Sequence, residues 1–82
     1  MNASELALVL FTTSLQPSGH PCDAQVRAAI EARLRALGGD RAGVAASVAQ
    51  EAGDHPEAYA ARMHWALDAV GHAYRPGLLA AA

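Results

Sequence analysis

Three groups of side chains in this sequence are able to do chemistry. His64, Asp68 and His72 recur at four-residue intervals and therefore line one ridge of a helix. Adjacent pairs, His64 with Asp68 or Asp68 with His72, could each give two ligands to a metal ion. A closed site needs more donors, and His20 and Cys22 are the attractive ones elsewhere, at no recognisable zinc spacing. The expectation is a solvated face with weak His–Asp pairing, and neither a metal nor another cofactor. Cys22, the single cysteine, stands near a helix start, two residues after His20. Both surroundings favour a reactive thiolate, which makes Cys22 the candidate nucleophile or redox sensor. The competing reading is an inert or partly buried thiol, and it is the one expected.

Trp65 is the third. On a helical wheel it sits roughly 160° from the centre of the stripe Tyr59, Met63, Leu67, Val70 and Tyr74. Its neighbours on that side are Ala58, Ala61, Ala69 and His72. Tryptophan is enriched at interface hot spots, and small residues let another helix approach closely. Trp65 thus either meets a partner or is covered within its own chain by the first helix. With Leu8, Phe11 and Leu15 it forms the candidate interface.

Val48 to Tyr59 faintly resembles a helix-turn-helix, with a small residue before a turn glycine and a helix after it. The would-be recognition helix opens Asp54-His55-Pro56-Glu57-Ala58, with acid where phosphates and bases call for Arg or Lys. A structural helical turn is the better reading. Gly38-Gly39 lacks the lysine and Ser/Thr of a phosphate loop, and no serine sits in a recognisable strained turn.

These residues must be held by helices. The first is expected over 4–15, with Ser4 or Asn2 as cap and Glu5 in the first turn. Leu6, Val9 and Leu10 fall on one side of it and Leu8, Phe11 and Leu15 on the other. Such a helix is buried on both sides; the rival reading is a short strand, which has no second strand to pair with. A proline- and glycine-containing linker, Gln16 to Pro21, follows. The second helix, 22–37, carries the stripe Val26, Ile30, Leu34 and Leu37 and closes on Gly38-Gly39. Asp40 caps a third over 41–52, whose Gly43 and valines give it weak propensity. Asp54 to Glu57 opens the fourth, 55–74, which Pro76-Gly77 ends. An apolar tail occupies 76–82.

The fold class is therefore all-α, a small four-helix bundle or orthogonal array in one domain, with helices two and four as its backbone. With 82 residues, 52% of them hydrophobic but many alanine, the core is thin, and such folds usually need a staple or a partner. One cysteine excludes an internal disulfide, and the apolar run Leu6 to Phe11 is too short for a leader or a membrane span. The cytoplasm is the expected location, and the Ala-, Gly- and Arg-rich composition suggests a bacterium. A net charge of -2, with no lysine, argues against nucleic acid. The leading expectation is a non-enzymatic interaction module, a homodimer or one bound to a protein partner. A DNA-binding regulatory module and a small metal- or thiol-dependent protein are the alternatives.

Overall fold

A computed structural model describes residues 1–75, and the tail and the Pro76-Gly77 stop lie outside them. The chain forms α1 (Ala3–Phe11), a 3-10 turn (Pro17–Gly19), α2 (Asp23–Leu37), α3 (Arg41–Asp54) and α4 (Pro56–Ala73). The fold is all-α, and no strand occurs among the described residues.

Each helix start has a local cause. Asn2 caps α1, its side-chain oxygen accepting from the Glu5 amide at 2.8 Å. The Gln25 side chain reaches back to the Cys22 amide at 2.8 Å and secures the start of α2. Gly38 and Gly39, at φ 59° and 91°, end α2 in the left-handed region that glycine enters without strain. Asp40 caps α3 through the Gly43 amide at 3.0 Å. Pro56 occupies the first position of α4, where its missing N–H costs nothing.

α1 stops at Phe11, four residues short of the expected end at 15. The hydroxyls of Thr12 and Thr13 bend back to the carbonyls of Val9 and Leu10, each at 2.7 Å. These bonds occupy carbonyls that a further turn would need, and the β-branched pair adds its own cost. Leu15 therefore lies in the connection, half-buried against the core.

The centre of the fold is α1 with α4, not α2 with α4. Each of these two packs on all three other helices, whereas α2 and α3 share little contact with each other. One core joins α1, α2 and α4 through Leu10, Val26, Ile30, Ala66, Val70 and their neighbours. A second joins α1, α3 and α4 through Phe11, Val44 and Val48, with Leu8, Leu37, Tyr59 and Met63 around them. α1 is apolar all round because it separates two cores.

The fourth helix is turned from its expected orientation. Its buried line is Ala66, Val70 and Ala73, roughly 50° from the centre of the stripe of larger side chains. Alanines at 66 and 73, facing Ala7, leave no side chain to hold the helices apart, so they approach closely. Leu67, expected in the core, is carried to one flank and is 43% exposed. Trp65 moves to the other flank, partly buried against the main core.

Candidate functional site

The four candidate interface residues pack in two different cores. Trp65 and Leu15 pack against the α1–α2–α4 core. Leu8 and Phe11 belong to the α1–α3–α4 core, where the Phe11 and Tyr59 rings lie 5.8 Å apart at 47°. Three of the four also border surface grooves: Leu8, Phe11 and Trp65, each a different one.

His64, Asp68 and His72 are all exposed along α4, as the spacing requires. His72 turns away from Asp68 to a partner on α2. Its Nδ1 shares a 2.7 Å hydrogen bond with Asp23 Oδ1, and Arg75 donates to Asp23 Oδ2 at 3.1 Å. The His72 bond, then the Arg75 guanidinium, hold the Asp23 carboxyl below its ordinary value despite some desolvation. Arg27 adds a bond to the Ala73 carbonyl at 3.0 Å. Together these contacts fasten the start of α2 to the end of α4, and charge complements dipole at both ends.

Cys22 is an exposed free thiol. It borders a shallow groove with His20, Asp23, Trp65, Asp68 and His72, so the fold brings the thiol and part of the ridge to one surface. Among the described residues no three His, Cys, Asp or Glu side chains gather in a metal-binding arrangement. His20 closes the 3-10 turn in the left-handed region, at φ 47°.

A residue that spacing did not single out organises the middle of the molecule. Arg62, on α4, donates from Nε to the Phe11 carbonyl and from Nη2 to the Thr13 carbonyl, both at 2.9 Å. It thereby satisfies acceptors left over where α1 ends without a glycine. Its guanidinium lies 5.0 Å from the Trp65 ring and 5.5 Å from the Phe11 ring. Burial lowers its pKa from the usual arginine value without making it neutral. Arg33, on α2, reaches the same end of α1 through the Thr12 hydroxyl at 3.2 Å. The i, i+3 spacing of Arg62 and Trp65 was the available signal; their common partner, the end of α1, is far away in sequence.

At the opposite end of α1 lies an apolar groove of about 300 Å³. Leu8 and Val9 of α1, Leu34 and Leu37 of α2, and Val44 of α3 form its floor beside Met1. Glu5, Asp40 and Arg41 supply the rim, and Arg41 pairs with Glu5 at 3.3 Å. A second groove, between α1, α2 and α4, shares Met1 and Leu34 with the first and adds Leu6, Ile30, Val70 and Tyr74. Burial, then the nearby Glu31, raise the pKa of the Tyr74 hydroxyl, which stays neutral there. Met1, with 49% of its surface exposed, stands between the two. No helix among the described residues is long and apolar enough to cross a membrane. No protein-family model, curated protein or solved structure matches this chain.

Proposed function

We propose that this protein is a non-enzymatic helical interaction module that self-associates through the groove over α1, α2 and α3. The observation that carries the reading is the groove itself. Its floor is Leu8, Val9, Leu34, Leu37 and Val44, and this apolar surface continues past Met1 into the second groove. Contiguous exposed apolar surface with a polar rim marks interaction sites.

The occupant is a second copy of the chain, because the rim is self-complementary. It carries Glu5 and Asp40 beside Arg41. A two-fold axis over the groove sets acid of one copy against arginine of the other. The exposed thioether of Met1 is flexible enough to fill the facing groove. Trp65 lies outside this contact and reports on the fold of its own chain.

The test is the molar mass in solution by light scattering over a dilution series. A dimer at micromolar concentration is expected, with Trp65 emission unchanged as it dissociates. Leu37→Glu, in the floor, should give a monomer. Arg41→Glu breaks an exposed ion pair worth about 0–1 kcal/mol within the chain and sets a third acid beside Glu5 and Asp40; helicity by circular dichroism should be unchanged while the dimer weakens. A wild-type chain that is monomeric at every concentration, or an Arg41→Glu chain as dimeric as wild type, overturns the reading.

A further inference from the structure

A cleft of about 300 Å³ opens where α1 ends, and all four helices or their ends line it. Phe11 and Thr12 come from the end of α1, Arg33 from α2, Ser47 and Glu51 from α3, and Ala58 and Arg62 from α4. Its charges are uncompensated. The ion pairs among the described residues are Arg41–Glu5, His72–Asp23 and Arg75–Asp23. Arg33, Arg62 and Glu51 thus each lack an oppositely charged partner within 4.0 Å there.

The donors are held in place and only partly used. Arg62 is fixed by two backbone carbonyls and two aromatic rings, and its Nη1 makes no hydrogen bond among the described residues. Arg33 is anchored through Nε alone, which leaves both Nη groups. Guanidinium forks of this kind match carboxylates. Glu51 faces the same space, so a bare anion meets repulsion as well as attraction. A ligand that carries both signs meets neither problem: carboxylate toward the arginines, ammonium toward Glu51.

We propose that this cleft binds a small zwitterion of the α-amino-acid class, with Arg33 and Arg62 receiving the carboxylate and Glu51 the ammonium group. Ser47 supplies a hydroxyl beside them, and Phe11 and Ala58 give an apolar wall for the ligand's own carbon atoms. The site is separate from the groove proposed for self-association and does not depend on it.

The test is a titration of the ¹⁵N-labelled full chain with glycine, acetate and methylamine, followed by amide chemical shifts. Glycine should give saturable shifts centred on Thr12, Ser47, Glu51 and Ala58. Acetate and methylamine, each carrying half of the recognised chemistry, should bind at least about tenfold more weakly, the cost of one charge-assisted contact. Glu51→Gln, which preserves shape, and Arg33→Gln should each weaken glycine by a similar factor while helicity by circular dichroism is unchanged. Three results overturn the proposal: no saturable shift with glycine, acetate binding as tightly as glycine, or glycine binding unaltered by Glu51→Gln.

Discussion

Arg62 illustrates how a single side chain can close an account that the backbone leaves open. α1 ends at Phe11 on threonines, without a glycine cap, and its last carbonyls need donors. Arg62 supplies two, and stacking on Phe11 and Trp65 holds it in position. Arg62→Met keeps the stem and removes the donors; it should cost about 2 kcal/mol, the range for hydrogen bonds to a charged group that is partly exposed. Arg62→Lys should recover little, because an ammonium cannot span both carbonyls and lie flat between rings. Urea denaturation followed by Trp65 fluorescence measures both; a midpoint equal to wild type for Arg62→Met would show the bonds to be idle. Asp23 makes a second residue-scale case. Its carboxyl titrates below the usual aspartate value near 3.8 in the folded state. Its contribution is complete above that value and disappears as pH falls through the lowered one. Asp23→Asn should therefore be less stable than wild type at neutral pH, with the gap closing below pH 3.8. A gap that stayed constant into acid would mean that the pairing with His72 and Arg75 does not hold the carboxylate.

At the scale of elements, two helical glycines distinguish propensity from tertiary need. A Cβ on Gly71 in α4 meets nothing within 4 Å. Gly71→Ala should raise stability by about 0.5–1 kcal/mol. Gly43 in α3 has the same nominal cost, but a Cβ there runs into the Asp40 carboxylate that caps the helix. Gly43→Ala should bring no gain, because displacing the cap loses about 1 kcal/mol. The denaturation midpoints of the two variants should move in different directions or by clearly different amounts; equal increases would show that Asp40 moves aside freely. The weak propensity of α3 read from Gly43 is thus part of how the helix starts. The orientation of α4 belongs to this scale too. Leu67 lies outside the core, whose buried members on α4 are Ala66, Val70 and Ala73. The large side chains of the stripe do not lead the packing.

For the whole molecule, the arrangement is two small cores that share α1 and α4. Two features of the sequence that point to a partner are thereby accommodated within the chain. The all-round apolar pattern of α1 is used within the chain, and Trp65 is half-buried against its own core. Among the described residues what remains exposed is different: Met1 and Leu67 as large apolar side chains, and the grooves on either side of the first turns of α1. α2 and α3 share little contact, and both line the apolar groove and the charged cleft that lie toward the two ends of α1. The candidate for self-association therefore shifts from Trp65 to Leu8, Leu34 and Leu37.

Local chemistry was readable in the chain itself. Asp40, the two glycines at 38 and 39, and Pro56 act through neighbours a few residues away, so their spacing already implied four helices. The two-sided character of α1 was equally plain, because a helix with apolar residues on every side must be covered on every side. Long-range contacts decided the rest. No spacing rule links Arg62 to the carbonyls of Phe11 and Thr13, or His72 to Asp23 in preference to Asp68. The rotation of α4 was hidden for a related reason: side-chain size marks the apolar stripe, but closeness of approach, set by alanines, chooses which line is buried. The cleft of Arg33, Glu51 and Arg62 draws on three helices whose order in sequence says nothing about where their ends converge.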